Sequence, residues 1–284
     1  MNRPVSNHTL IVFTLSQIWI YPVKSLRGIE LQSAEVETRG LQHDRRWMVV
    51  SESGRMLTQR DLPVMARIET SITDQLTLAF ESNQIEIPFE PSGERRNVTV
   101  WRDEVAVIDC GDKAGGFLSE ILGQKSRLVW MPDETNRLVD ETFARNGEIT
   151  SFSDGFPFLI LGEATIADLN DRIISKDGEA VEATRFRANF LFSGAPPLDE
   201  ETWEHFKIGE VEFEAVKPCS RCTITTVDQQ SGLRMGAEPL KSLREYRKFG
   251  AAVYLGQNLL AHSFGTVKRG DSIEVATRKS ALLE

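Results

Sequence analysis

Two of the three cysteines in this chain, Cys219 and Cys222, are separated by only two residues. A Cys-x-x-Cys pair can ligate a soft metal or present a reactive sulfur. Lys217 and Arg221 flank the pair, and neighbouring cations favour the thiolate form of a cysteine. Because β-branched residues dominate after Cys222, we predict a strand over 223–227 with a thiol at its start.

Three alternative roles for the cysteine pair are a structural zinc site, a thioredoxin-type redox pair and simple core packing. A structural zinc site needs about four ligands, but the remaining cysteine is Cys110 and the four histidines lack pair spacing. A thioredoxin-type pair opens a helix, whereas strand-forming residues follow Cys222. The two cysteines can also be small buried hydrophobic residues, although the flanking cations argue against packing alone.

Two basic motifs in the first half of the chain carry groups that can bind an anion. Lys24 and Ser25 follow the first predicted strand. One interpretation is that they bind a phosphate, and the alternative is that they belong to a solvated loop. Arg45 and Arg46 precede an apolar segment, and the alternative to anion binding is a surface ion pair with Asp44. Neither motif is specific by itself.

A third basic motif contains Arg185, Arg187 and Asn189. In a predicted strand over 186–192, the period of two places these three side chains on one face. Two guanidinium groups and an amide on one face would form a fork for an anion. The alternative is an edge strand protected by its charges. The Ser-Asp-Gly segment at 153–155 is interpreted as a turn rather than a ligand.

The elements that must position these residues are mainly strands, with some helix. Residues 16–130 contain many short strand-like segments, which indicate a barrel-like domain, and one helix at 112–122. A polar connection follows, so we predict two domains, at 16–131 and 132–280, the second a mixed β-barrel. In the second half we predict helices at 163–174 and 239–249, and strands at 156–161, 186–192, 210–216, 223–227, 252–260 and 272–275.

Composition and charge narrow the class of protein. The formal net charge of −9 argues against a general nucleic-acid-binding protein, which needs a basic surface. Three cysteines do not make a disulfide framework, so we expect a reducing compartment. The apolar N-terminal run is interrupted by polar residues and lacks a cleavage site, and no segment is long enough to span a membrane. We therefore expect a cytoplasmic protein without a membrane partner, whose first strand begins near Ser16.

Several motifs resemble one known family. The segment Lys217-Pro-Cys-Ser-Arg-Cys-Thr-Ile-Thr-Thr-Val-Asp228 resembles the signature of MOSC domains. The segments Tyr21-Pro-Val-Lys-Ser25 and Asp44-Arg-Arg-Trp47 resemble the β-barrel domain that precedes a MOSC domain. Together with Phe186-Arg-Ala-Asn189 and Gly256-Gln257-Asn258, the resemblance runs in the expected order over 16–276. Within this family, the chain is similar to mitochondrial amidoxime-reducing components and YcbX-type proteins.

The resemblance implies a molybdenum cofactor, in which a molybdopterin dithiolene and one protein cysteine bind the metal. By its position in the motif, that cysteine is Cys222, which is then both the metal ligand and the catalytic residue. The resemblance implies that the cofactor is bound by Lys24, Ser25, Arg45, Arg187 and Asn189. It also implies that Thr225 and Asp228 lie near the sulfur and tune it. Arg185 belongs to the same predicted fork and is added to this set. Any contact from Gly155 and Phe156 would come from the backbone. Pyridoxal phosphate binding is a second interpretation of the same basic motifs.

The implied activity is the reduction of N-hydroxylated or N-oxygenated compounds such as amidoximes. No cysteine follows Cys222, so this chain lacks the four cysteines of a plant-type iron–sulfur cluster. We therefore expect electrons from a separate flavin or iron–sulfur protein. Two alternatives remain open, a sulfur carrier or sulfurtransferase with a persulfide on Cys222, and a cofactor carrier without catalysis.

Overall fold

The structure, a computed structural model, describes residues 13–144 and 146–282. The expected absence of a signal peptide concerns the N-terminal run, most of which lies outside the described residues. The first half of the described chain contains β1 Phe13–Ile20, β2 Val23–Lys24, β3 Ile29–Leu31, β4 Ser33–Glu37, β5 Gly40–Leu41, β6 Trp47–Ser51, β7 Glu69–Ile72, β8 Leu76–Phe80, β9 Asn83–Ile87, β10 Arg95–Val100, β11 Asp103–Asp109, α1 Asp112–Leu122 and β12 Ser126–Trp130.

The second half is also mainly β and has two α-helices among its described residues. It contains β13 Arg137–Leu138, β14 Ile149–Thr150, β15 Phe158–Gly162, α2 Glu163–Ile174, β16 Phe190–Ser193, β17 Trp203–Ile208, β18 Val211–Ser220, α3 Leu240–Tyr246, β19 Lys248–Phe249, β20 Ala252–Ala261, β21 Gly265–Lys268 and β22 Ser272–Arg278. No helix in the described parts of the chain is long and apolar enough to cross a membrane.

Seven strands close into a barrel in the order β15-β16-β1-β22-β17-β18-β20, with β20 pairing back to β15. Val211, Phe213 and Ala215 alternate inward along β18, as the two-residue period of a strand requires. The interior is rich in aromatic rings, such as the stacked pair Phe158 and Phe190. The predicted mainly β fold with a barrel is therefore confirmed, and β1 contributes a strand to the barrel built by the second half.

Most of the rest of the first half forms a five-stranded sheet, β10-β11-β12-β6-β2, and a three-stranded sheet, β7-β8-β9. Strands β4 and β5 form a further three-stranded sheet with β21, and β3 pairs with β1. Helix α1 packs its buried residues Leu118 and Leu122 against these sheets. It begins with Asp112, whose charge suits a helix N-terminus, and ends before Gly123 in the left-handed conformation. Helix α2 matches its predicted bounds. The predicted domain boundary at 131/132 stays a prediction.

Two predicted elements were wrong at the places that matter for the site. Residues Thr223–Thr226 form a 3₁₀ helix rather than a strand. The hydroxyl groups of Thr225 and Thr226 donate to the carbonyls of Cys222 and Thr223 at 2.9 and 2.8 Å. These local bonds compete with a strand ladder, and they override the β propensity of threonine. Cys222 therefore follows the end of β18 instead of starting a strand.

The segment over 186–192 is also not one continuous strand. A 3₁₀ helix covers Ala183–Phe186, Arg187 has a left-handed φ of 54°, and β16 starts only at Phe190. Arg185, Arg187 and Asn189 therefore do not share a strand face. The carbonyls of 186, 187 and 188 accept bonds from distant side chains rather than from a neighbouring strand.

Several boundaries also differ from the predictions, among them the start of β1 and the end of α3. Strand β1 is present from Phe13, the first described residue, and not from Ser16. Helix α3 ends at Tyr246, because Lys248–Phe249 leaves the helix and forms a hairpin with the start of β20.

Candidate functional site

Several loops at strand ends meet at one cleft, which contains both cysteines of the Cys-x-x-Cys pair. We call it the Cys222 cleft, and the predicted site residues that line it are Lys24, Ser25, Arg45, Arg185, Arg187, Asn189, Cys222 and Thr225. Asp228 is not part of this lining, but its Oδ2 accepts a hydrogen bond from Arg185 Nη2 at 3.0 Å. The structure therefore brings the predicted residues together from four separate parts of the sequence.

The backbone at this cleft is held in an uncommon conformation. Ser25, Arg45 and Arg187 have φ angles of 66°, 50° and 54° and are not glycines. A left-handed conformation costs an L-residue roughly 1–2 kcal/mol, and such residues collect at functional sites. Tertiary bonds hold the strained backbone, because Arg45 N donates to the Tyr21 carbonyl at 2.9 Å and Arg45 Nη2 to the Arg187 carbonyl at 2.9 Å.

A buried carboxylate, Asp44, organises the loops on the barrel side of the cleft. Its side chain is 1% exposed, and it accepts hydrogen bonds from Tyr21 N at 2.7 Å, from Asn189 Nδ2 at 3.1 Å and from Arg45 Nη1. The suggested alternative of a surface ion pair is therefore wrong, since water is excluded from this pair. Asn189 also bonds to Trp19 and to Leu159, so its amide braces the protein from within.

The ring of Tyr21 contacts two of the cleft's arginines. The guanidinium carbons of Arg45 and Arg187 lie 4.6 and 4.1 Å from the ring centroid. Both contacts are favourable cation–π interactions. Burial raises the pKa of Tyr21 to about 12 and lowers the pKa of Arg187 to about 10. The phenol is therefore neutral and the guanidinium charged at neutral pH.

Two arginines that line the cleft have buried guanidinium N–H groups without an acceptor among the described residues, Nε of Arg185 and Nη2 of Arg187. Nη1 of Arg60, which lies beside Cys222, also lacks one. A buried donor without a partner is destabilising, so such groups are rare in native proteins. Their concentration around one cleft in a chain of net charge −9 fits a bound ligand with several anionic oxygens.

A second cluster joins Lys24, Arg60 and Asp154 beside Cys222. Lys24 Nζ donates to Asp154 Oδ1 at 2.5 Å, and Arg60 Nη2 donates to Asp154 Oδ2 at 3.0 Å. Burial lowers the pKa of Lys24 to about 8, although the carboxylate of Asp154 opposes that change. Burial by itself would lower the pKa of Arg60, but its interactions with Asp154 and Cys222 outweigh that effect, so its pKa is raised. Arg60 is thus a cation close to the Cys222 sulfur.

The flanking cations do not act on the cysteine pair as the sequence suggested. Arg221 donates to the backbone carbonyls of Leu255 and Phe186, so it ties the loops together. Lys217 lies over the ring of Phe143 and does not line the cleft. Burial raises the pKa of the Cys219 thiol, and the lowering effect of Arg221 is too small to offset it.

Three residues that line or adjoin this cleft were not predicted from the sequence. Arg60 lies in a polar loop without a motif; its guanidinium stacks over Trp101 at 4.6 Å and lies beside Cys222. Asp154, interpreted only as part of a turn, also carries a carboxylate of the cleft lining. Tyr21 was noted only as part of a motif. Spacing alone gives no signal for any of these contacts, because they join different loops.

Comparison with known proteins gives the class to which this fold and cleft belong. Residues 12–125 match the MOSC N-terminal beta barrel domain, and residues 148–274 match the MOSC domain. The chain therefore belongs to the MOSC family, in the arrangement in which the N-terminal barrel domain precedes the MOSC domain.

Individual relatives lie within the same family. The chain is 34% identical over 284 residues to mitochondrial amidoxime-reducing component 1 of Homo sapiens, an alignment that covers 92% of this chain and 82% of that protein. It is 32% identical over 249 residues to mitochondrial amidoxime reducing component 2 of Homo sapiens, covering 83% and 73%. It is also 32% identical over 273 residues to molybdenum cofactor sulfurase of Danio rerio, covering 88% of this chain but 32% of that protein.

Proposed function

We propose that this protein is a molybdenum-cofactor-dependent oxidoreductase that reduces N-hydroxylated compounds such as amidoximes. The observation that carries the proposal is the cleft itself, where unpartnered buried arginine N–H groups surround a cysteine. The relatives named amidoxime-reducing components support the reaction class, and the relative named molybdenum cofactor sulfurase supports the cofactor.

The residues of the cleft fit such a cofactor by their donor chemistry. Cys222 offers a soft sulfur ligand for the metal. Arg185 and Arg187 offer free N–H donors for the anionic oxygens of the cofactor, and Lys24 adds a positive charge. When bound, the cofactor supplies the two-electron redox chemistry. Arg60 is positioned near the sulfur and can orient the oxygen of a substrate.

The cysteine pair provides the first experiment. In protein produced in a host that synthesises the cofactor, we expect wild-type protein and Cys219→Ala to contain about one molybdenum per chain. We expect Cys222→Ala to lose the metal, as measured by elemental analysis. Equal loss in both variants would contradict the assignment of Cys222 as the single protein ligand.

Turnover provides the second experiment. With a chemical reductant, the molybdenum-containing protein should convert a model amidoxime to the amidine. If the protein contains molybdenum but does not convert the amidoxime, the result would support a cofactor carrier without catalytic activity. We propose that a separate flavin or iron–sulfur protein supplies the electrons.

A sulfurtransferase is the second candidate, favoured by the relationship to a molybdenum cofactor sulfurase. Cys222 would then carry a persulfide. Protein without molybdenum, with the mass of one additional sulfur on Cys222, would support this function over the first.

A further inference from the structure

A second groove lies on the outer face of the barrel, and its lining shares no residue with that of the Cys222 cleft. We call it the His205 groove, and its polar lining includes Glu148, Glu204, His205, Glu214 and His262. None of these residues lines the Cys222 cleft. A role for the groove is therefore independent of the proposed reductase activity.

Three neighbouring barrel strands bring the two histidines and a glutamate together. His205 in β17 lies directly opposite Glu214 in β18. His262 follows the last residue of β20, and its backbone N–H donates to the Glu212 carbonyl at 2.8 Å. Because β18 is hydrogen-bonded to both of the other strands, His205 and Glu214 lie on a closed sheet, and His262 is joined to that sheet by its backbone bond to Glu212. Rigid strands of this kind hold a set of ligands more accurately than loops do.

The distances between the side chains suit a metal ion. One ligand atom from each of His205, Glu214 and His262 lies within 4.8 Å of the others. Around a tetrahedral zinc ion with bonds of about 2.0–2.1 Å, ligand atoms are roughly 3.3 Å apart. Small rotations of exposed side chains can close that difference. His262 Nε2 and Glu214 Oε2 are already 2.9 Å apart.

The charges around the groove also favour a cation. Glu148 and Glu204 contribute two further carboxylates to the lining. Lys279 lies near Glu204 and Glu214, where burial lowers the pKa of its amine despite their attraction. Its amine donates to the Ala215 carbonyl, beneath the groove. The carboxylates of the described lining therefore outnumber this ammonium group.

We propose that His205, Glu214 and His262 form a binding site for a divalent transition-metal ion, with Zn²⁺ as the probe. Two imidazoles and one carboxylate are a ligand set used by zinc sites that keep a position open for water. The site couples β17, β18 and β20 on the outside of the barrel, so an ion bound there raises the thermal stability of the protein by mass action.

The test is a calorimetric titration of Zn²⁺ into the full-length, tag-free protein with its cofactor. We expect about one Zn²⁺ per chain, and an affinity at least ~10-fold weaker in His205→Gln, Glu214→Gln and His262→Gln. His43→Gln is the matched control, because this histidine stacks against Phe89 and lies outside the groove. Thermal unfolding without metal checks that each variant is folded.

A spectroscopic measurement adds a second result. Bound Co²⁺ should give a visible absorption band that is lost in His262→Gln and retained in Cys222→Ala. Absence of Zn²⁺ binding, equal affinity in the wild-type protein and the groove variants, or loss of binding only in Cys222→Ala would each overturn the proposal. The last result would assign the ion to the cysteine site, so failure here is distinct from failure of the reductase proposal.

Discussion

Replacing Asp44 by asparagine should strongly destabilise the loops of the Cys222 cleft. In Asp44→Asn one oxygen can still accept from Tyr21 N. The new amide NH₂ faces Arg45 Nη1 and Asn189 Nδ2, which are themselves donors. The substitution also leaves the guanidinium of Arg45, which is 12% exposed, without its carboxylate.

The magnitude follows from this burial. Removing one partner of a buried ion pair costs roughly 3–5 kcal/mol in the free energy of unfolding, because a charge remains buried without compensation. The chain offers a matched control in Asp133, whose Oδ1 lies 2.7 Å from Arg46 Nη2 but whose side chain is 80% exposed. Arg46 is 11% exposed, so the two pairs differ mainly in the burial of the carboxylate. An ion pair whose carboxylate is solvated contributes about 0–1 kcal/mol, so Asp133→Asn should be nearly neutral.

Urea unfolding followed by tryptophan fluorescence measures both variants. We expect a large decrease in the midpoint for Asp44→Asn, with a similar dependence of the free energy on urea concentration, and little change for Asp133→Asn. The reasoning fails if Asp44→Asn lowers the free energy of unfolding by less than about 1 kcal/mol, or by no more than the control does. Either result would mean that burial does not determine the strength of this pair.

Three further predictions concern titration and backbone conformation. Burial raises the pKa of Glu200 to about 7. The free energy of unfolding should therefore fall by ~3 kcal/mol as pH rises from about 4.5 to about 7. Urea unfolding should show this decrease in the wild-type protein and not in Glu200→Gln. Gly256 has a φ of +74°, and an added Cβ would lie 2.7 Å from the Ile160 carbonyl oxygen. At Gly250 φ is +59°, but the space around an added Cβ is open. Gly256→Ala should therefore lower the melting temperature more than Gly250→Ala does. Burial lowers the pKa of Lys24 to about 8, so inorganic phosphate should bind more weakly in calorimetry as pH rises through about 8, and Lys24→Met should remove that dependence.

Much of the fold was predictable because the signals are local. The apolar stripe of Ile166, Leu169 and Ile173 has the helical period, and the structure gives α2 its predicted bounds. Most predicted strands in the first half also appear, since alternation and turn residues define them without reference to the rest of the chain.

The errors fall where tertiary contacts replace local preference. At Arg187 the backbone turns left-handed, while the guanidinium lies over Tyr21 and donates to the Leu26 carbonyl at 2.8 Å. The adjacent carbonyls are satisfied by Arg45, Tyr21 and Arg221, none of which is near in sequence. A strand pattern read from five residues cannot contain these partners.

By itself, the sequence determined which chemical groups are available: a cysteine pair and several basic motifs, together with the family they resemble. Only the tertiary structure decided which groups meet. It placed Arg60 beside Cys222 and buried Asp44 under Arg45 and Asn189. It also left buried N–H groups of two cleft arginines without an acceptor among the described residues. The physical reason is that hydrogen bonds and cation–π contacts between loops depend on distances of a few ångströms, which barrel closure sets and residue spacing does not.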